Sequence, residues 1–121
     1  MGKMSRQKGV RSEREVELIL QAAGLHTDRN LGGRAQVSGD IAARVPNPWS
    51  NDTPPLAIEV RRRETLSLSR WSAEHEASTP DHQLPAVVYR RSREPWRISL
   101  RLSDFLELIA TTDTGGKDDS E

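Results

Sequence analysis

The spacing of apolar residues predicts a helix at the start of the chain. Over residues 12–23 the apolar positions recur every three or four residues. This stripe consists of Val16, Ile19, Leu20 and Ala23. Ser12, with Glu15 three positions later, matches a capping box, and Gly24 is a typical stop signal. The pattern therefore predicts a first helix that begins at Ser12.

Shorter apolar runs predict five strands and two further helices. The strands are expected at residues 25–30, 40–45, 56–62, 85–90 and 96–100. Ser69 is expected to start a helix through residue 77, and Ser103 to cap a last helix over residues 104–110. The order α-β-β-β-α-β-β-α predicts an α/β (α+β) domain with a central mixed β-sheet flanked by helices, because a crossover helix permits a parallel strand pair.

The chain length and the polar segments define the expected domain. The 121 residues suit one domain, which we place at residues 1–110, and residues 111–121 (TTDTGGKDDSE) are expected to be a disordered acidic tail. Residues 46–55, PNPWSNDTPP, hold four of the seven prolines. They predict an exposed turn or flap that carries Trp49.

Composition narrows the class of protein. The absence of cysteine excludes disulfides, thiolate zinc sites and a cysteine nucleophile. No stretch approaches the roughly 18 apolar residues of a membrane span, and the N-terminus lacks the apolar core of a signal peptide. We expect a cytoplasmic protein with no membrane partner. Hydrophobic residues make up only 34% of the chain, so the core is modest and dimerisation is favoured.

The zero net charge hides an uneven distribution. Residues 1–110 hold 17 basic against 14 acidic side chains, whereas residues 111–121 hold one lysine against four acids. Basic residues cluster at Lys3–Arg11, at Arg61–Arg63 and at Arg90–Arg97. Such clusters suit a phosphate-rich partner. The alternative is that each cluster is a solvated face that supports solubility.

Two acids lie in apolar runs, where a charge is costly. Asp40 opens one expected strand, and Glu59 lies within Ala-Ile-Glu-Val of the next. A divalent cation between them would offset their repulsion, and the backbone carbonyl of Val60 would add a ligand. Glu13 could complete the site through water. The alternative is that Asp40 caps a turn after Gly39 and that Glu59 pairs with a surface arginine.

The sequence resembles the Holliday junction resolvases of the PD-(D/E)XK nuclease superfamily, from about Lys8 to Leu108. The similar segments are Gln7-Lys8-Gly9, Ser12-Glu13-Arg14-Glu15-Val16, Gly24-Leu25, Asp28-Arg29, Asp40-Ile41-Ala42-Ala43, Ile58-Glu59-Val60-Arg61 and Pro95-Trp96-Arg97. Small phage-encoded resolvase-like endonucleases are also similar at Leu66-Ser67-Leu68, Trp71 and Arg90 to Trp96. If the chain is phage-encoded, the expected location is the host cytoplasm.

The resemblance implies a restriction-endonuclease-like core and a metal-dependent DNA endonuclease. Glu13 would support the metal site, Asp40 and Glu59 would bind Mg²⁺ or Mn²⁺, and position 61 would hold the basic catalytic residue. This chain departs from the family at that position, where Arg61 replaces lysine, and at Glu74, where the phage type tends to have glutamine. Arginine keeps its proton and supplies only charge and hydrogen bonds.

The resemblance also implies a four-way junction or other branched duplex as the DNA partner, bound by a homodimer. The expected phosphate contacts are Lys8, Arg11, Arg14, Arg29, Arg34 and Arg62. Three alternatives stay open: a catalytically inactive DNA-binding relative, a restriction or repair nuclease on the same core, and a small interaction module. His26, His75 and His82 have no zinc-like spacing and no partner cysteine, so we do not expect them to bind a metal. We expect them on the surface.

Overall fold

The computed structural model describes residues 2–29, 39–45 and 54–109. Within these ranges the helices are α1 (Gly2–Ala22), α2 (Leu68–Ser78) and α3 (Leu102–Ile109). The strands are β1 (His26–Arg29), β2 (Ile41–Arg44), β3 (Leu56–Arg62), β4 (Leu84–Arg90) and β5 (Arg97–Leu100). Their order along the chain is α-β-β-β-α-β-β-α, so the predicted α+β class is confirmed.

The strands form one mixed sheet in the spatial order β1-β2-β3-β4-β5. The first three strands pair antiparallel as a meander, and β4 pairs antiparallel with β5. β3 and β4 run parallel along their whole length, from Leu56 beside Leu84 to Arg62 beside Arg90. A parallel pair requires a crossover connection, and α2 lies in it. The crossover that the element order predicts is therefore confirmed.

The middle strand, β3, changes character halfway along its length. Leu56, Ala57 and Ile58 are buried, whereas the residues from Glu59 to Arg62 are only partly covered. The buried core cluster consists of Val16, Ile41, Ala43, Leu56, Ile58, Leu84, Ala86 and Val88. Full burial of a large apolar side chain stabilises a fold by about 1.5–3 kcal/mol. The partly covered half of β3 thus directly adjoins the buried core cluster.

The two longer helices cover opposite faces of the sheet. Val16 of α1 packs in the core cluster with Ile58, whereas His75 of α2 contacts Glu59. Neighbouring residues in a strand point to opposite faces, so Ile58 and Glu59 mark the two sides. The α2 face of β3 therefore carries the side chains of Glu59 and Arg61.

The predicted start of the first helix is wrong. α1 begins at Gly2, and Ser12 is a buried helical residue with 4% of its surface exposed. No proline interrupts residues 2–11, so nothing in the backbone prevents the helix from extending toward the N-terminus. Ser12 is small enough to be covered where the helix packs, which a cap pattern does not reveal.

The cap positions of the other helices are also wrong, although the strands agree with prediction to within one residue. α2 begins at Leu68 instead of Ser69, and Ser67 occupies the cap position without a side-chain cap hydrogen bond. α3 begins at Leu102, so Ser103 lies inside its first turn. Serine occurs both at caps and inside helices, and its presence alone does not fix a boundary.

Several predictions fall outside the described residues. These are the loop that contains Arg34, most of the proline-rich flap with Trp49, and the acidic tail. Among the helices of the described part, none is both long enough and apolar enough to cross a membrane.

Candidate active site

Three carboxylates from three elements converge beside β3. Glu13 lies on α1, Asp40 directly precedes β2, and Glu59 lies within β3. The negative charges of Glu13 and Glu59 both act on Asp40, and Glu13 is also its hydrogen-bonding neighbour. The structure therefore brings together the three acids that the sequence singled out.

Two hydrogen bonds hold Asp40 against β3. Its backbone N–H donates to the carbonyl oxygen of Ile58 at 2.7 Å, and the N–H of Val60 donates to Asp40 Oδ2 at 2.8 Å. The N–H and C=O of one strand residue point to the same side of the strand. The carbonyl oxygen of Val60 therefore lies on the side of β3 that carries Asp40.

The pKa of Asp40 is raised from 3.8 to about 6. Burial is the largest cause, and the negative charges of Glu13 and Glu59 add to it, whereas the hydrogen bond from Val60 lowers the pKa. A partly buried group of like charges resists full ionisation. A bound cation would remove this penalty.

Gly39 is required for the approach of Asp40 to the sheet. Its φ is +85°, in the left-handed region that side-chain-bearing residues rarely adopt. A Cβ atom at this position would lie 2.7 Å from the carbonyl oxygen of Ile58 and 3.1 Å from Cε1 of His75. Only glycine fits between β3 and α2 here.

Arg61 lies between a carboxylate and an indole ring. Its guanidinium forms an ion pair with Glu59, which is the preceding residue on the same face of β3. The guanidinium also lies over the ring of Trp71, 5.5 Å from the ring centroid, in a cation–π contact. Trp71 is 4% exposed. The residue that replaces the family lysine is therefore engaged with a proposed metal ligand.

The prediction that all three histidines lie on the surface is wrong for His75. This residue is 3% exposed, its Nε2 lies 2.7 Å from the carbonyl oxygen of Ala57, and its Nδ1 lies 3.5 Å from Glu59 Oε1. His26 and His82 are exposed as expected. The spacing i, i+4 from Trp71 places His75 on the covered face of α2, and that spacing was the available signal.

The oxygen atoms near Asp40 suit a hard divalent cation. In the described part of the chain, no group of three or more His, Asp or Glu side chains is arranged to hold a metal ion. The donors that fit are the carboxylates of Asp40 and Glu59 and the carbonyl of Val60. Mg²⁺ usually takes only one or two carboxylates and fills its other positions with water. The donor set is therefore compatible with Mg²⁺ or Mn²⁺.

Comparison with solved structures identifies a similar protein. It is Hjc from Archaeoglobus fulgidus, a Holliday junction resolvase from an archaeal hyperthermophile. The chain is similar to a Holliday junction resolvase. The sequence identity is 25%, the TM-score is 0.49, and the match covers 77% of this chain and 72% of that chain. No protein-family model and no curated protein matches.

Glu13 has a second partner besides Asp40. Its Oε1 accepts a hydrogen bond from Arg29 of β1 at 2.9 Å, and both side chains are mostly covered, at 24% and 15% exposure. Arg29, predicted as a phosphate contact, therefore directs its charge at the acid cluster in this structure. Its contact with DNA stays a prediction.

The other predicted phosphate contacts are spread over the surface. Arg11 and Arg14 are exposed on α1, and Lys8 also belongs to that helix. Arg62 donates to Ser92 Oγ at 3.4 Å. Glu74 is exposed on α2 and faces solvent. The phosphate contacts stay predictions, and Glu74 does not belong to the acid cluster.

Proposed function

We propose that this chain is a metal-dependent endonuclease that hydrolyses phosphodiester bonds of branched DNA. The observation that carries the proposal is the convergence of Glu13, Asp40 and Glu59 beside the middle strand of a mixed sheet. Partly burying several like charges costs stability, so such a cluster calls for a cation. The motif Asp-x18-Glu-Val-Arg, which resembles that of the resolvases, supports the same chemistry.

Asp40, Glu59 and the carbonyl of Val60 would hold Mg²⁺, with Mn²⁺ as a substitute. A divalent cation, when bound, polarises the scissile phosphate and lowers the pKa of an attacking water. Asp40 would hold the cation in its ionised form, and its position is fixed by the N–H of Val60. Glu13 supports Asp40 from α1 and is itself held by Arg29.

Arg61 is proposed to contact the phosphate that is cleaved. Because arginine keeps its proton, it cannot accept one from water, and it acts through charge and hydrogen bonds. The ion pair with Glu59 holds this charge beside the site, and Trp71 limits how far the guanidinium can move. Arg61 would therefore stabilise the negative charge that develops on the phosphate.

DNA binding without cleavage is a second candidate function, and the Glu59–Arg61 ion pair favours it. A guanidinium on the carboxylate of Glu59 competes with a cation for the same oxygen atoms. A restriction-type or repair nuclease would share the whole site and differ only in the DNA that it cuts.

Cleavage of labelled DNA tests the proposal. The substrates are a four-way junction, a linear duplex and a single strand, each incubated with Mg²⁺ or Mn²⁺. The proteins are the wild type, Asp40→Ala, Arg61→Lys and the control Glu74→Gln, which changes an exposed acid on α2. We expect paired nicks in the junction from the wild type and the control, and none from Asp40→Ala.

Other results would identify the rivals. Junction binding without cleavage by the wild type, together with cleavage by Arg61→Lys, would show a DNA-binding relative whose site is impaired by arginine. Equal cleavage of the linear duplex would show a nuclease of the restriction or repair kind. Neither binding nor cleavage by any variant would overturn the nucleic-acid function.

A second copy of the chain is the proposed protein partner, and α3 carries the surface for it. The one fully buried side chain of this helix is the acid Asp104, and Leu108 packs partly buried against the core, whereas the other large apolar residues are exposed. They are Leu102 at 70%, Phe105 at 43%, Leu106 at 49% and Ile109 at 55%. We call this set the α3 stripe. Residues 110–121, next in the sequence, contain no large apolar side chain that could cover it.

The spacing of the α3 stripe suits two-fold symmetry. If two α3 helices pack antiparallel about a two-fold axis, Leu102 faces Ile109 of the second copy and Phe105 faces Leu106. Such an interface is isologous, because the same patch serves both copies. A dimer would place two cleavage sites on a symmetric pair of strands in the junction.

Light scattering after size-exclusion chromatography tests the dimer. The wild type is expected to run at twice the chain mass of 13.6 kDa, and the double variant Phe105→Ser, Leu106→Ser as a monomer. Leu18→Ser, on the exposed side of α1 at 52% exposure, is the matched control and should stay dimeric. A monomeric wild type, or a double variant that stays dimeric, would contradict the proposed interface.

A further inference from the structure

His75 touches both segments that carry the acid pair. Its Nδ1 lies 3.5 Å from Glu59 Oε1, which is an ion-pair distance. Its Cε1 packs against Gly39, so closely that a Cβ atom on Gly39 would lie 3.1 Å away. Gly39 directly precedes Asp40. The imidazole ring of His75 therefore contacts Glu59 of β3 and also the turn that leads directly into Asp40.

The ring has a fixed orientation. Its Nε2 lies 2.7 Å from the carbonyl oxygen of Ala57, and a carbonyl oxygen can only accept, so Nε2 donates. The residue is 3% exposed and lies one turn after Trp71, the other buried residue of α2. With Nε2 donating to the backbone, Nδ1 is the atom that faces the carboxylate, and it donates to Glu59 when the ring carries both protons.

We propose that His75 is a positioning residue that holds the carboxylate of Glu59 and the Gly39–Asp40 turn in the arrangement needed to bind the cation. This inference rests on the proposed metal-dependent function and deepens it. Some residues do not touch the metal but fix the orientation of a metal ligand. Removing such a residue commonly weakens metal affinity by about 10–100-fold.

A purely structural histidine would act through Ala57 alone, and two substitutions separate the roles. In His75→Gln, the amide nitrogen can take the place of Nε2, which keeps the bond to Ala57 and removes the contact with Glu59. In His75→Asn, the amide nitrogen takes the place of Nδ1, which keeps a donor toward Glu59 and leaves the carbonyl of Ala57 without its partner. The pair of variants thus forms a matched exchange.

The experiment measures Mn²⁺ binding to the full chain by isothermal titration calorimetry and thermal unfolding of the metal-free protein. We expect His75→Gln to unfold near the wild-type temperature and to bind Mn²⁺ about 10–100-fold more weakly. His75→Asn should unfold at a lower temperature and keep the wild-type affinity when measured well below its transition. The Mn²⁺ concentration that gives half-maximal cleavage should follow the same order.

The outcomes distinguish this inference from the function on which it rests. If the wild type binds Mn²⁺ and cleaves DNA, and His75→Gln binds equally well, positioning by His75 is overturned and the nuclease stands. If both variants lose affinity in proportion to their lost stability, the role is structural and the inference is again overturned. If the wild type neither binds Mn²⁺ nor cleaves, the proposed function fails and the inference fails with it.

Discussion

The carboxylate of Asp40 accepts a hydrogen bond from Val60 and is flanked by Glu13 and Glu59. Its pKa of about 6 lies above the ordinary 3.8, so the folded protein holds the proton of this carboxyl group more tightly than the unfolded chain does. The contribution of this group to stability is present below about pH 4 and is lost as the pH rises through about 6. In the metal-free protein at neutral pH, Asp40 therefore opposes folding, although it is proposed to be essential for cleavage.

Asp40→Asn is expected to stabilise the metal-free protein at pH 8. Asparagine keeps an acceptor for the N–H of Val60 and removes the charge that faces the other acids. Allowing for partial exposure, we expect about 1 kcal/mol, or roughly 4–8 °C in Tm for a domain of this size. Thermal melts in EDTA at two pH values measure it. The gain should shrink near pH 4, and a lower Tm at pH 8 would contradict the raised pKa.

At this scale, the sequence predicted the acids but not their neighbours. Asp40 and Glu59 stand out because a carboxylate in an apolar run is costly wherever the chain folds. The contact of His75 with Glu59 could not be predicted, because it depends on which face of α2 packs against β3 and on how closely the two elements approach. The pairing of Arg29 with Glu13 likewise joins residues of different elements that no local pattern connects.

Among the elements, the turn before β2 sets the geometry of the site. Gly39 fits between the backbone of Ile58 and the ring of His75 at a positive φ, and Asp40 follows it directly. A strand start that must pass this close to a packed helix cannot carry a side chain. The turn therefore determines how near Asp40 comes to β3.

Gly39→Ala is expected to cost about 3 kcal/mol of unfolding free energy, because a left-handed backbone and a collision with Ile58 act together. Gly24→Ala is the matched control. Gly24 has a φ of +99° but nothing within 4 Å of an added Cβ, so only the backbone strain of about 1 kcal/mol applies. Urea unfolding of both variants measures the difference. Equal losses would show that the close approach to β3 does not matter.

The strands and the start of α2 were predicted within one residue, whereas the starts of α1 and α3 were not. Strands such as Leu56–Arg62 are short apolar runs bounded by proline or charge, so composition marks both ends. Helix ends depend on whether the next backbone groups still form helical hydrogen bonds, which a cap-like residue does not decide. In α1, the helix includes the ten residues that precede Ser12. The class and order of elements thus follow from the sequence, whereas the boundaries of helices require the packed structure.

For the whole molecule, the charge distribution matters more than its sum. The net charge of the chain is zero, yet Arg11 and Arg14 are exposed on α1, together with the acid Glu15 of the same helix. Binding to the phosphate backbone releases counterions, so the affinity for DNA should fall steeply with salt. Much of the arginine charge elsewhere is already matched, as in the pairs Arg29–Glu13 and Arg90–Glu15.

Arg11→Ala and Arg14→Ala are each expected to weaken junction binding and to reduce the slope of log K against log salt by about 1. Arg70→Ala is the comparison variant, because Arg70 is also exposed but lies on α2, which covers the face that carries Arg61. Fluorescence anisotropy over a range of salt concentrations measures all three. A slope that stays unchanged in both α1 variants would show that neither arginine contacts the phosphate backbone.

The order of strands in the sheet also has a consequence for how the protein is made. Each strand from β2 onward lies beside the strand that precedes it in the chain, so every new strand can pair with one already synthesised. Contacts close in sequence favour fast folding, and only the parallel β3–β4 pair waits for the intervening α2. Glu13, Asp40 and Glu59 all leave the ribosome before α2 and β4. The nascent chain can therefore assemble its acids while they are still hydrated, and it meets the cost of covering them only when the second half arrives.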